Sequence, residues 1–370
     1  MSRNATTVGD IVAAVDRLAP FRLAETWDNV GLVLGDAARP VRRLLVCLDV
    51  TEAVCEEAER LRAEAVLAHH PLIFEGVRRL TADTPAGRLA VRLLGQGRAV
   101  IAAHTNLDSA QGGLCDILAG MLDLADLVPL QAAPAAKRFK VVVFVPEAHL
   151  DAVRAAAFAA GAGHIGRYSE CGFAAAGAGT FLPGEGARPA VGEAGRTESV
   201  AELRFETVVD APRLGAVVTA VARAHPYEQP AIDAYALDCP PPGLGIGRVG
   251  RPKKSRTLAQ LADNLKERAG LRSVGIAGRP ECAPERVAVV TGAGGGMAEA
   301  VAAAGCQAFV TGELKYHEVL DLTARGIGLV LGGHYATERM PLDAWAPRLA
   351  ETVDCEVLLS ENEADPVRER

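Results

Sequence analysis

At 370 residues, with 49% hydrophobic and 23% charged side chains, the chain has the composition of a globular protein too long for one ordinary core. A formal net charge of −7, from 39 basic and 46 acidic residues, argues against a nucleic-acid binder working through a broad basic surface. No apolar run approaches the roughly 20 residues that span a bilayer, and eight scattered cysteines without a CxxC pair suit reduced thiols and a cytoplasmic address, not a disulfide framework.

In chain order, Leu44–Asp49, Glu52–Arg62 and Ala65–Ala68 read as strand, helix and strand, and Ala86–Leu94, Ala99–Ala103 and Asp116–Leu122 as helix, strand and helix. This alternation predicts a largely parallel sheet covered by helices. The Pro/Ala/Gln-rich stretch 128–136 is expected to be a connection. The pattern then changes: strand Lys140–Val145, helix Leu150–Ala160, a glycine-studded stretch 161–195, strand Glu202–Val209, helix Leu214–Ala224 and strand Ile232–Leu237. That order fits a ferredoxin-like α+β module of about a hundred residues, left through Pro240–Gly243. Helix Leu258–Ala269 restarts the α/β pattern, which runs to about Leu359, and the polar stretch Glu361–Arg370 is expected to fray.

The two α/β stretches resemble each other. Arg43–Ala68 and Arg286–Thr311 share an apolar strand, a turn, an Ala/Glu-rich helix and a second apolar strand; Ala99–Asp108 (AVIAAHTNLD) aligns with Leu329–Glu338 (LVLGGHYATE). The fold class expected is therefore α/β, with duplicated half-cores (1–135 and 246–370) forming one metal-binding core and an inserted α+β domain at 136–245.

Four of the eight histidines fall in three loops directly after predicted strands, where open parallel sheets place their sites. They are His69-His70, His104 with Asp108, and His334 with Glu338. A spacing of four on a helix puts His334 and Glu338 on one face. Imidazole with carboxylate suits zinc, manganese, iron or cobalt, and a carboxylate can bridge two such ions. Adjacent histidines point in different directions, so two neighbouring ions could each take one. A lone His-x3-acid pair is ordinarily a surface hydrogen bond; three such loops at strand ends, two of them in duplicated positions, argue for a metal centre.

Other motifs carry less. Gly245-x-Gly247-x-x-Gly250 has the glycines of a dinucleotide fingerprint without the strand before it or the helix after it. Gly292–Gly296 reads as a close helix–strand packing turn, with anion binding as the alternative. Glu313, Lys315 and His317 stand either near the metals or on a solvated helix start. Trp27–Leu32 reads as a structural loop entering a strand.

The segments WDNVGLVLGD (27–36), LAHHPLIFEG (67–76), HTNLD (104–108), TGELKYHE (311–318) and GGHYATE (332–338) resemble the Nif-three-like dinuclear-metal family, whose members are named GTP cyclohydrolase 1 type 2 homologs. GHIGRYSECGF (163–173), GTFLPGEGA (179–187) and HPYEQP (225–230) resemble the insert of its longer bacterial members, which is similar to trimeric PII-like and CutA-like modules. The resemblance implies two divalent ions per chain held by His69, His70, Asp108, His334 and Glu338, with Glu338 as the bridge. His104 would complete a shell or orient the neighbours of Asp108. Glu313 stands where the family motif carries Asp. A toroidal homohexamer with the metal sites facing an inner cavity is also implied.

The implied activity is hydrolytic: two ions lower the pKa of a shared water and supply hydroxide, and the family naming points to opening of the imidazole ring of GTP, a small-molecule nucleotide. His317 or His104 is the candidate proton donor to the departing nitrogen. The alternative is a non-enzymatic, regulatory or scaffold hexamer that holds metal and senses a ligand through its insert. On a reference imidazole pKa near 6.5, protons should compete with the ions below about pH 6.

Overall fold

The computed structural model describes residues 6–133, 138–166, 168–238 and 243–367. The expected domain boundary at 135–136, most of the exit at 240–243 and the last three residues of the stretch 361–370 lie outside the described residues. The chain divides into two compact units, Met1–Ala133 with Pro242–Arg370, and Pro134–Pro241.

The first unit opens with α1 (Val8–Leu18), started by a capping box between Thr7 and Asp10. There follow β1 (Gly31–Leu34), β2 (Arg43–Cys47), α2 (Glu52–Arg60), β3 (Ala65–Ala68), α3 (Pro85–Gly95), β4 (Ala99–Ala102), α4 (Thr105–Ser109), α5 (Leu114–Met121) and β5 (Leu124–Ala132). Threonines cap α2 and α3: Thr51 and Thr84 each accept an N–H of the first turn.

The second unit comprises β6 (Arg138–Val145), α6 (Leu150–Ala159), β7 (Gly172–Phe181), β8 (Glu198–Asp210), α7 (Leu214–Ala224) and β9 (Ile232–Leu237). Its four strands form an antiparallel sheet in the order β7-β8-β6-β9. Val141, Val143, Val153, Phe205, Val217 and Val221 pack between that sheet and the two helices. Strand β7 lies inside the glycine-studded stretch, where no strand is legible. Its Gly and Ala residues have little strand preference of their own, and pairing with β8 along its whole length holds it extended.

The first unit resumes with β10 (Gly245–Pro252), α8 (Leu258–Ala269), β11 (Gly275–Ala277), β12 (Val287–Val289), α9 (Ala298–Ala303), β13 (Ala308–Thr311), α10 (Tyr316–Ala324), β14 (Gly328–Leu331), α11 (His334–Ala350) and β15 (Glu356–Leu359). Two sheets result, in the orders β1-β4-β3-β2-β15 and β11-β14-β13-β12-β10-β5. Strands β2, β3 and β4, and likewise β12, β13 and β14, pair in parallel; each triplet carries one antiparallel edge strand, β1 on β4 and β11 on β14. These short aliphatic strands are buried on both faces, as parallel strands covered by helices must be.

The two halves of the sequence interleave. Strand β15 joins β2 in the first sheet, and β5 joins β10 in the second, so neither sheet comes from one half alone. The expected connection at 128–136 is therefore corrected: up to Ala132 it is the end of β5. Pro129, which on its own argues against a strand, is tolerated because β5 is the edge of its sheet. Gly245, Gly247 and Gly250 all lie within β10.

Arg248 ties the interleaved parts together. Fully buried on β10, it donates to both carboxylate oxygens of Asp116 at 2.5 and 2.9 Å and to the carbonyls of Ala110, Gly245 and Gly247 at 2.6–2.8 Å. It thereby anchors the loop between α4 and α5 to the second sheet. Replacing Arg248 with Met should cost about 3–5 kcal/mol of stability, because Asp116 and those carbonyls lose their donor. Urea denaturation checks it; an unchanged midpoint would deny Arg248 this role.

Candidate metal centre

The carboxyl ends of both sheets supply the centre. His69 and His70 follow β3, His104 follows β4, Thr291 and Gly292 follow β12, Glu313 follows β13, and His334 opens α11 after β14. Gly333, at φ +81°, makes the turn from β14 into α11 in a conformation that L side chains rarely adopt. Glu338 lies one turn into α11 and is buried.

Each imidazole is fixed through Nδ1. His69 Nδ1 lies 2.8 Å from the Ala103 carbonyl, His70 Nδ1 2.9 Å from Asp49 Oδ1, His104 Nδ1 2.9 Å from Asp28 Oδ1, and His334 Nδ1 3.0 Å from Glu313 Oε1. A carbonyl and a carboxylate only accept, so every Nδ1 is the donor and every Nε2 is left for another partner. The ligand atoms of His69, His70 and His104 converge within 4.8 Å of one another, and those of His70, His334 and Glu338 do the same. His70 belongs to both groups. Although adjacent, His69 and His70 tilt by 48° with ring centres 5.1 Å apart, so both reach one of the groups.

The two carboxylates complete the arrangement. Glu338 Oε1 lies 3.8 Å from His69 Nε2, while Oε2 lies 3.1 Å from the Nε2 atoms of both His70 and His334. Asp108 accepts a 2.7 Å hydrogen bond from Thr291 on Oδ1 and turns Oδ2 to within 3.8 Å of His69 Nε2. His69 Nε2 is buried without a hydrogen-bond partner among the described residues. Such an orphaned lone pair is costly unless a cation takes it. The donor set therefore fits a divalent ion of the borderline type.

The surroundings shift the charges. Burial holds the His69 imidazole down to about 3. Burial also opposes protonation of His70, but Asp49 and Glu338 outweigh it and raise that ring to about 10. Glu338, and then Glu313, raise His334 to about 9. Burial and the nearby Glu338 charge push Asp108 up to about 7. Burial opposes ionisation of Glu338, yet the His334 and His70 rings hold it well below the usual carboxylate range.

Backbone space matters as much as charge. Gly292 has φ +57°, and a Cβ there would come within 1.9 Å of Glu338 Oε1 and 3.0 Å of His334 Nε2. The turn at 292–296 is thus a wall of the centre. On one side the centre meets a cavity of about 760 Å³, lined by His70, His334, Asp49, Glu313 and Tyr335 among others.

The structure brings His69, His70, His104, Asp108, His334 and Glu338 together. Glu313 also reaches the centre through His334, its added methylene notwithstanding. Lys315 caps α10, where its backbone N–H donates to Glu318, and His317 is exposed with its ring edge-on to Tyr316. Asp28 and Asp49 were not singled out by the sequence reading, Asp28 because its loop read as structural. Each sits in a loop that follows or approaches a strand of the first sheet; that placement was the available signal.

A mixed α/β protein of several sheets, with a histidine–carboxylate group that could hold metal, is the class defined so far. The chain belongs to the Duf34/NIF3 (NGG1p interacting factor 3) family, matched over residues 6–366. It is 42% identical over 335 residues to the GTP cyclohydrolase 1 type 2 homolog of Mycobacterium tuberculosis, covering 90% of this chain and 88% of that one. It is 38% identical over 330 residues to the protein of the same name from Bacillus subtilis, covering 89% and 88%. Among solved structures, the Bacillus cereus protein related to NIF3 is similar at 34% identity and a TM-score of 0.78, and Staphylococcus aureus protein SA1388 at 26% and 0.81, each over 100% of both chains.

The raised values of His70 and His334 move proton competition above the range that reference imidazoles imply. Both rings are protonated at neutral pH without an ion, and both must lose a proton to ligate one. Metal titrated into the metal-free protein at pH 7.5 should therefore release about two protons per chain, and affinity should climb as pH rises towards 9. Calorimetry in buffers of different ionisation enthalpy measures the release; none at pH 7.5 would contradict these assignments.

Proposed function

We propose that the chain is a hydrolase dependent on two divalent metal ions. The observation that carries this reading is the common orientation of four imidazoles, each committed through Nδ1, with the Nε2 atoms of His69, His70 and His334 turned towards Glu338 and His104 grouped with the first two. His69 and His104, faced by Asp108, form one ligand set; His334 and Glu338 form the other, and His70, whose one free nitrogen lies in both groups, completes either. Glu338 takes the bridging place because its two oxygens face different sets. Two divalent ions held there would supply Lewis acidity and make water more acidic.

The chain's own residues would do the rest. Asp28, Asp49 and Glu313 keep the rings oriented and their Nδ1 protons in place. The cavity beside His70 and His334 supports access for a small molecule. The name carried by the 35–42% identical relatives favours GTP, with water attack at the imidazole-ring carbon between two nitrogens and release of formate. His104 stands within a ligand set, so metal holding is the part this reading gives it; the exposed His317 carries none of the argument.

The matching order β1-β4-β3-β2 and β11-β14-β13-β12 supports two half-cores derived from one. The order β9-β6-β8-β7 supports a ferredoxin-like insert. The homohexamer and the cytoplasmic address rest on the sequence resemblance and composition.

A second reading, regulatory and non-enzymatic, draws support from the insert, which holds its own cavity of about 440 Å³ lined by Phe144, Phe181, Glu202 and Tyr227. Formate released from GTP by the metal-loaded protein, and not by the metal-free one, is the expected result. Two bound ions without formate would move the assignment to the regulatory reading. Glu338→Gln keeps the size of the bridge and removes its charge, so the folded variant should lose at least one of the two ions (about one equivalent per chain) by elemental analysis. Unchanged metal content would remove Glu338 from the bridge.

A further inference from the structure

The stretch after β15, expected to fray, is fastened at several points. Glu57 on α2, 1% exposed, accepts from Ser360 Oγ at 2.6 Å and from the N–H groups of Glu361 and Asn362 at 3.2 Å. The Glu363 side chain, 3% exposed, accepts from the N–H groups of Leu48 and Asp49 on Oε1, both at 2.6 Å, and from Arg339 Nη1 on Oε2 at 2.8 Å. Arg339 also donates to the Ser360 carbonyl at 2.8 Å. Two buried carboxylates are thus committed to a segment of eight residues, 360–367, whose far end, Asp365–Val367, lines the cavity beside His70 and His334.

We infer that this segment is a latch for the metal centre, and that Glu363 is a positioning residue for His70. Glu363 grips the loop between β2 and α2, and that loop holds His70 twice. The His70 backbone N–H donates to the Leu48 carbonyl at 2.9 Å, and its Nδ1 donates to Asp49 Oδ1 at 2.9 Å. On its other side Glu363 holds Arg339, the residue after Glu338. The connections close into a ring: Glu338, Arg339, Glu363, Asp49, His70, and back to Glu338 Oε2 at 3.1 Å. Its links are mostly charge-assisted hydrogen bonds, which are shorter and stronger than neutral ones. The ring couples a histidine from the first sheet to the carboxylate that opens from the second, so slackening Glu363 frees the loop that aims His70. The positioning role rests on the metal-binding reading above; the latch itself does not.

Two measurements on the full chain separate these. In the metal-free protein, the Leu48 and Asp49 amides should be protected from hydrogen exchange, and Glu363→Ala should remove that protection. In parallel, Co²⁺ titration followed by its visible absorption should show binding weakened about tenfold or more in Glu363→Ala, with an altered band at saturation. Glu363→Gln keeps an oxygen for the two backbone N–H groups but turns an amide NH2 towards Arg339, so it should retain protection and bind cobalt more tightly than Glu363→Ala, though more weakly than wild type. It also keeps the test decisive should the alanine variant fail to fold. Unprotected amides in the wild type would overturn the latch. Lost protection with an unchanged cobalt band and affinity would overturn the positioning role. A wild type that binds no cobalt would refute the metal reading and the positioning role with it, while the exchange data would still decide the latch.

Discussion

The centre depends on a single kind of contact, the hydrogen bond from an imidazole Nδ1 to an acceptor that cannot give a proton back. Ala103, Asp49, Asp28 and Glu313 each supply one. Together they fix four ring planes and keep each Nδ1 proton in place, so that the Nε2 atoms face inward. With Asp108 and Glu338 added, five carboxylates stand against four imidazoles. Such a collection would repel itself on folding without protons or cations to balance it, and the carboxylates beside His70 and His334 raise both rings above the ordinary imidazole value.

That contact can be repeated four times only because two sheets meet end to end. Neither sheet supplies the full set: His69, His70, His104 and Asp108 come from the first, His334 and Glu338 from the second. The exchange of β5 and β15 and the buried Arg248 keep the sheets in one unit, and Gly292 gives Glu338 the space a side chain would occupy. A site built this way is sensitive to changes remote from the ligands, because a shift of either sheet moves one set against the other.

Much of this was legible in the sequence. The periodic elements were, since β3 is an unbroken apolar run and α8 carries its apolar face between the Thr257 cap and Gly270. The histidine loops were too, because three of them follow apolar strands and two stand at matching places in the repeated pattern. The acids that orient the rings were not. Asp28 lies 76 residues from His104, and Glu363 lies 315 from Leu48; a lone acid in a polar loop has no period to betray which strand end it will face. Strand β7 was hidden by its glycines and alanines, β5 by Pro129, and the segment after β15 by its charge. Its charge, as Glu363 shows, is what fastens it.

Anomalous diffraction from crystals grown with Mn²⁺ or Zn²⁺ tests the central claim most directly. The account predicts two peaks per chain about 3.5–4 Å apart, each bonded by Nε2 atoms, with Glu338 between them and every Nδ1 still on its acceptor. A single peak, or an ion bonded by any Nδ1, would contradict it.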